Sequence, residues 1–180
     1  MSELQQLLLN QREEEKASKS SFNAEQRIDY FRSIVSELYT QIKNEWLKDL
    51  ADEDLIRFAN GDVELEESGL GTYTIDTLTI HTPIDNVEFV PTGTLLIGTD
   101  GGIEVRCNDQ CVNLVHIEEK IENPGQLVAL QIGKVKMSTK DSVLVWKIMH
   151  EDENHLLHFT TFNQNSMQKL LINLLSDESC

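Results

Sequence analysis

The chain lacks the cysteine content of a secreted disulfide framework. Its 180 residues contain only three cysteines, an odd number, at positions 107, 111 and 180. Disulfides are rare in reducing compartments, and small secreted domains that depend on them usually carry an even set. We therefore expect free thiols and a cytoplasmic location. A chain of this length buries roughly 70% of its unfolded surface, so no disulfide is needed to close its core.

Long apolar runs are missing as well. The longest one falls far short of the ~20 residues that a membrane-spanning helix requires. Leucines occur at positions 4 and 7–9, but acids follow them, and neither a basic n-region nor a small-residue cleavage site is present. We expect neither a signal peptide nor a membrane partner.

Basic residues are scarce in the middle of the chain. Residues 61–122 hold thirteen Asp or Glu and only two bases, a net charge of −11 within a total of −16. The flanking segments carry only −4 (1–60) and −1 (123–180). Phosphate binding depends on clustered Lys and Arg, so direct binding to nucleic acid is not expected. Acid excess can serve solubility alone, but its concentration in one segment is also what a surface for a basic partner requires.

No sequence motif indicates catalysis. The chain contains no G-x-S-x-G, no P-loop, no dinucleotide-binding glycine fingerprint and no H-E-x-x-H. The glycine-rich stretch at 98–102 precedes a predicted strand and lacks a lysine, so it predicts a turn. Glu66 and Glu67 are adjacent on a predicted strand and face apart, which argues against a joint acid–base role. We expect no enzymatic activity and no cofactor.

Candidate metal ligands form only weak patterns. Cys107 and Cys111 flank a turn where opposed strand positions could bring their sulfurs together, and His116 lies nearby. Zinc sites usually need a further ligand and a C-x-x-C knuckle, so two reduced thiols are the expected state. His155 and His158 differ by an odd number on a predicted strand and would project to opposite faces. We expect no metal site.

The strongest periodic signal predicts a long helix over residues 24–50. Its apolar stripe follows 3, 4, 3, 4 spacing through Ile28, Phe31, Val35, Leu38 and Ile42. Asn23 is placed to cap the helix, and an earlier helix is predicted from Glu3 to Ser20. The stripe could pair the two helices, lie on a sheet or form a homodimer seam, and we favour packing in the core.

After a turn at Asn60-Gly61 the hydrophobic period changes from 3.6 to 2. Val63 and Leu65 alternate with Glu64 and Glu66, which places these acids on the outer face of a half-buried strand. The next strand, 73–81, has Tyr73 and Ile75 out of phase with Leu78 and Ile80. We expect either a bulge near residues 76–77 or a strand covered on both faces.

Several more short strands and one helix follow. Strands are predicted near 87–89, 95–97, 103–106, 112–117, 127–137, 142–149 and 156–161. The nearly continuous apolar run at 142–149 is typical of a central strand covered on both faces. Asn163 can cap a last helix whose apolar positions are Met167, Leu170, Leu171, Leu174 and Leu175.

These elements predict an α+β fold. We expect N-terminal helices, a central antiparallel sheet or partly open barrel, and a C-terminal helix packed on it. The expected division is an N-terminal helical segment over 1–60 and an antiparallel β domain with the C-terminal helix over 61–180. In its element order the chain resembles a PH-like barrel.

A binding function fits the acidic segment best. In its small size, strong acidity and lack of catalytic motifs the chain resembles the immunity proteins of bacterial toxin–immunity pairs. The resemblance implies that it binds a cognate toxin, a nuclease being one candidate, and occludes the active site. The predicted partner-binding residues are Glu64, Glu66, Tyr73, Asp76, Glu88, Asp100, Glu104 and Asp109, with Tyr73 as an aromatic anchor.

The alternative is a cytosolic adaptor or structural protein. Its interaction surface would be the amphipathic helix 24–50, with the β domain as a scaffold and a homodimer as one outcome. High salt should slow association at an acidic face but not at an apolar helix seam, so ionic strength distinguishes the two functions.

Overall fold

A computed structural model describes four stretches of the chain: residues 4–12, 23–94, 99–126 and 143–176. The main helices within them are α1 (4–12), α2 (Ala24–Gln41), α3 (Lys48–Asp52) and α4 (Gln164–Ser176). A π-helical turn, Ile42–Trp46, joins α2 to α3. The predicted long helix is thus divided near Leu47, whose φ of −121° departs from helical geometry.

In the described part of the chain seven antiparallel strands form one sheet in simple sequential order. They are β1 (Arg57–Glu67), β2 (Gly71–His81), β3 (Asn86–Gly93), β4 (Gly102–Cys107), β5 (Gln110–Glu118), β6 (Leu144–Glu151) and β7 (Leu157–Thr161). Among the described residues β1 and β7 are edge strands, so the sheet is not closed into a barrel. The α+β prediction is confirmed, with helices at both ends of the chain.

One hydrophobic core joins α2 and α4 to the sheet. The buried residues of α2 are Phe31, Ile34, Val35, Leu38 and Tyr39, and those of α4 are Met167, Leu170 and Leu174. Both sets belong to the same cluster as the buried side chains of β2 to β6. Since β1 begins at Arg57, the expected boundary at 60/61 falls inside a strand, and the helical segment shares its core with the sheet.

The predicted helix caps are present. The Asn23 side chain accepts a hydrogen bond from the backbone N–H of Gln26 at 3.1 Å. At α4 the Asn163 side chain accepts from the backbone N–H of Ser166 at 3.0 Å, and the Ser166 hydroxyl accepts from the backbone N–H of Asn163. Each cap satisfies N–H groups that the first helical turn leaves without a partner.

The buried positions of β2 change phase between Ile75 and Leu78, and they do so without a bulge in the pairing with β1. Pairing is continuous from Arg57 opposite His81 to Glu67 opposite Gly71. Pairing with β3, however, covers only residues 78–81, so the first half of β2 separates from the third strand. Helix α2 lies beside this unpaired edge, where the Arg32 guanidinium donates to the Thr74 carbonyl at 2.9 Å.

The middle of strand β6 is covered on both faces, as predicted, but β6 is the neighbour of the edge strand β7 and not a central strand. Trp146 and Lys147 are adjacent residues of this strand and point to opposite faces, and they are 8% and 2% exposed. Trp146 belongs to the main core, whereas the Lys147 ammonium donates to the carbonyls of Glu119 and Ile121 at 2.5 and 2.6 Å. The expected strands at 95–97 and 127–137 lie outside the described residues.

Candidate partner-binding surface

Four exposed carboxylates lie on one face of the β1–β2 hairpin. They belong to Asp62, Glu64, Glu66 and Asp76, which we call the hairpin acidic strip. Register explains their alignment: residue 62 is opposite residue 76, 64 is opposite 74, and 66 is opposite 72. Side chains of directly paired residues point to the same face, and alternate residues of one strand do so too.

The strip has no neutralising cation within the described residues. No Lys or Arg there forms an ion pair with any of its four carboxylates. Asp62 and Asp76 are directly opposite each other, a like-charge arrangement that destabilises a sheet. The strip therefore does not stabilise the fold, and its charge is available to another molecule.

The carboxylate next to the strip has a different environment. Glu67 points to the opposite face, where it accepts hydrogen bonds from the backbone N–H of Thr94 at 2.8 Å and from the Thr94 hydroxyl at 3.1 Å. The Tyr73 hydroxyl also donates to Glu67, and the Arg27 guanidinium donates to the Thr94 carbonyl at 2.7 Å. These four residues form what we call the Thr94 clasp. It connects the tip of the hairpin to the end of β3 and to α2.

Tyr73 is the one predicted site residue that the structure removes from the surface. Its side chain is only 6% exposed and belongs to the hydrophobic core, so it cannot serve as an aromatic anchor for a partner. Burial, followed by the hydrogen bond to Glu67, raises the pKa of the Tyr73 hydroxyl. The ring also lies 6.0 Å from the Arg32 guanidinium. Tyr73 therefore has a structural role.

Glu88 and Glu104 lie on the other face of the sheet. Glu88 is paired in register with Thr79 of β2 and with Arg106 of β4. Thr79 is an odd number of residues from the strip residue Asp76, so their side chains point to opposite faces of β2. Arg106 also forms an ion pair with Glu104. These two acids are therefore separated from the hairpin acidic strip and share a cation.

The two remaining predicted acids lie in turns. Asp109 is exposed in the two-residue turn between β4 and β5, beside Asn108 with its positive φ of 52°. Asp100 precedes β4, where its carboxylate oxygen lies 4.0 Å from Nδ1 of His116. The structure thus brings together only Glu64, Glu66 and Asp76 of the eight predicted residues, and adds Asp62. The predicted acidic residues therefore do not share one face of the sheet.

The clasp residues Glu67, Thr94 and Arg27 were not identified from the sequence. A signal for Glu67 was present, because the alternation of Val63 and Leu65 continues inward to residue 67. No comparable signal identifies Thr94 and Arg27, because these residues are far from their partners in sequence. Thr94 contacts Glu67, and Arg27 contacts Thr94, only in the folded chain.

The candidate metal ligands remain apart. Cys107 is buried and opposite Gln110, whereas Cys111 is exposed and opposite Arg106, so the two thiols project to opposite faces of the sheet. Burial raises the pKa of both cysteines and favours the thiol form. In the described part of the chain no group of three or more His, Cys, Asp or Glu is arranged to hold a metal ion.

Comparison with known proteins adds no relative. No protein-family model, curated protein or solved structure matches this chain. Of the helices that the structure describes, none has the length and apolar character needed to cross a membrane. Any function must therefore be inferred from the chain's own surface.

Proposed function

We propose that this protein is a non-catalytic binding module whose hairpin acidic strip binds a basic protein partner. The supporting observation is the row of four exposed carboxylates, none of which forms an ion pair with a Lys or Arg of the described stretches. Complementary charge accelerates the encounter between two proteins and orients them before contact. A strand pair also holds its side chains more rigidly than a loop, which reduces the entropy lost on binding.

The partner class that we favour is a toxin domain, with this chain as its immunity protein. Alternate carboxylates on one strand are about 6.8 Å apart, and a regular row of them can imitate the phosphates that a nuclease binds. Binding would then occlude the toxin's active site. A cytoplasmic location belongs to the same proposal, because Cys107 and Cys111 are both free thiols.

The direct test is association with a basic protein encoded beside this chain. The test variant combines Asp62→Asn, Glu64→Gln and Glu66→Gln. A control variant with the same change in net charge combines Asp49→Asn, Glu53→Gln and Glu153→Gln, at exposed positions outside the strip.

We expect the strip variant to associate at least tenfold more slowly at low salt, and the control variant less than threefold more slowly. Raising the ionic strength should slow the wild type towards the rate of the strip variant. Equal slowing by both variants would mean that net charge alone acts, and would contradict a role for the hairpin surface.

The adaptor alternative is not supported. Its interaction surface was the apolar stripe of the long helix, but Phe31, Val35 and Leu38 are 0%, 1% and 2% exposed inside the chain's own core. A homodimer seam on this stripe would require α2 to leave the sheet. The favoured expectation, that the stripe packs in the core, is confirmed.

A further inference from the structure

A cleft lies on the flank of α2 that faces away from the hairpin. It has a volume of about 220 Å³ and opens between α2 and strands β5 to β7. Its lining includes Trp46, Trp146, Phe162, Glu37 and His116. A water molecule occupies about 30 Å³, so the cleft has room for one elongated organic group.

One ring nitrogen of His116, in the cleft wall, lacks a hydrogen-bond partner. The residue is 6% exposed, and its enclosed Nδ1 has no hydrogen bond to any residue that the structure describes. The nearest carboxylate oxygen, on Asp100, lies 4.0 Å away, too far for a hydrogen bond. Burial lowers the pKa of His116 and so disfavours the imidazolium form. Buried polar atoms are nearly always paired, so the unpaired imidazole nitrogen is an unusual feature of this cleft wall.

Two carboxylates give this region a negative potential. The negative charges of Glu37 and Asp100 oppose the lowering of the His116 pKa by burial. They also raise the pKa of Tyr30, for which burial is the larger cause. Among the described residues no Lys or Arg forms an ion pair with either of them. Asp100 approaches His116 to 4.0 Å, but this contact would be an ion pair only with a protonated imidazole.

Aromatic rings complete the cleft. Trp46 and Phe162 meet edge to face at 5.5 Å, and the His116 ring is tilted against Trp146 at 5.1 Å. Aromatic faces attract cations through the quadrupole of the ring, and they also bury an alkyl chain. Aromatic walls and the exposed Glu37 carboxylate together favour a ligand that is apolar along its stem and carries positively charged N–H donors at its end.

We propose that this cleft binds one organic cation of the guanidinium or alkylammonium class, with its stem against Trp46 and Phe162 and its charge beside Glu37. The cation could be a free small molecule or an Arg or Lys side chain of another protein. The cleft and the hairpin acidic strip lie on opposite flanks of α2, so neither site requires the other.

The chain's two tryptophans both line the cleft, so intrinsic fluorescence reports on its occupancy. The probe is butylguanidinium, titrated to about 20 mM at constant ionic strength, and the matched neutral compound is butylurea. We expect a saturable fluorescence change with butylguanidinium and at least fivefold weaker binding of butylurea, because a neutral group gains no attraction from carboxylates or ring faces.

Variants test the role of the carboxylate. Glu37→Gln preserves the shape of an exposed side chain and should weaken butylguanidinium binding about fivefold, the effect of one favourable exposed ion pair. Glu64→Gln, in the hairpin acidic strip, should leave it unchanged. Equal unfolding midpoints would show that both variants keep the fold. The absence of saturation, equal binding of butylurea, or an unchanged affinity in Glu37→Gln would each overturn the inference.

A peptide distinguishes the two sources of the cation. The blocked tripeptide Gly-Arg-Gly presents the same guanidinium on a polypeptide backbone. Tighter binding than butylguanidinium would identify a protein side chain as the natural ligand, and weaker binding would identify a free cation. Loss of partner association in the strip variant with intact butylguanidinium binding, or the reverse, would separate the two sites.

Discussion

Replacing Glu67 by Ala tests whether the Thr94 clasp holds the hairpin to the rest of the fold. Thr94 is fully buried beneath the Glu67 carboxylate, so removal of that carboxylate takes away the charged acceptor of its backbone N–H. A hydrogen bond to a charged acceptor contributes about 1.5–3 kcal/mol. The hydroxyls of Thr94 and Tyr73 lose the same acceptor but can rotate, and together add ~1 kcal/mol. We therefore expect Glu67→Ala to lower the free energy of unfolding by ~3 kcal/mol.

Urea unfolding followed by tryptophan fluorescence measures this loss. With a slope of about 2 kcal/mol per molar urea, the midpoint should fall by about 1.5 M. The matched control is Glu66→Ala, which removes the neighbouring carboxylate from the exposed face and should change stability by less than ~0.5 kcal/mol. Glu67→Gln keeps one acceptor oxygen and should give an intermediate value.

The comparison between adjacent positions makes the result decisive. If Glu67→Ala and Glu66→Ala unfold at the same urea concentration, the clasp contributes nothing to stability. The hairpin would then be held by its strand pairing and apolar contacts alone.

Two further predictions concern the packing of α2 against the β4–β5 region. Gly101→Ala should lower the free energy of unfolding by ~3 kcal/mol, because Gly101 has φ +153° and an added Cβ would overlap the buried Phe31 ring. Thermal unfolding measures this loss, and a Tm equal to that of the wild type would contradict it. The second prediction is that His116 makes the stability depend on pH. Burial lowers the pKa of His116 in the folded chain. Below pH ~6.5 the unfolded chain therefore binds a proton at this residue more readily than the folded chain does. Stability should therefore fall as the pH decreases from 6.5 towards the folded pKa, by up to about 1.4 kcal/mol per pH unit. His116→Gln should lack this component in urea titrations between pH 7.5 and 5.5, and identical pH profiles for the two proteins would refute it.

The elements that local sequence determines were predicted well. The 3, 4, 3, 4 spacing identified α2, and Asn23 and Asn163 identified the starts of two helices, because a helix buries one stripe and its first N–H groups need acceptors. The turn at Asn108-Asp109 was predicted for a similar reason, since a short loop between two alternating stretches makes a hairpin.

Sequence could not show which acids share a face of the molecule. The sequence correctly predicts that Glu64 and Glu66 lie on the outer face of their own strand. Whether Glu88 shares that face depends on how β2 pairs with β3. That register sets Glu88 opposite Thr79, on the face away from Asp76. A shift of one residue would reverse the face, and nothing within either strand reveals the pairing.

The amino-acid sequence by itself determined the α+β class, the starts of two main helices at Asn23 and Asn163, the alternation that turns Glu66 and Glu67 to opposite faces, and the unusual charge of the middle segment. Only the tertiary structure decided that Tyr73 is buried, that Thr94 binds Glu67, and that Trp46, Trp146 and His116 line one cleft. The first group depends on interactions within a few residues of the chain, which local periodicity records. The second joins residues that are far apart in sequence, and their contacts follow from strand register and helix packing.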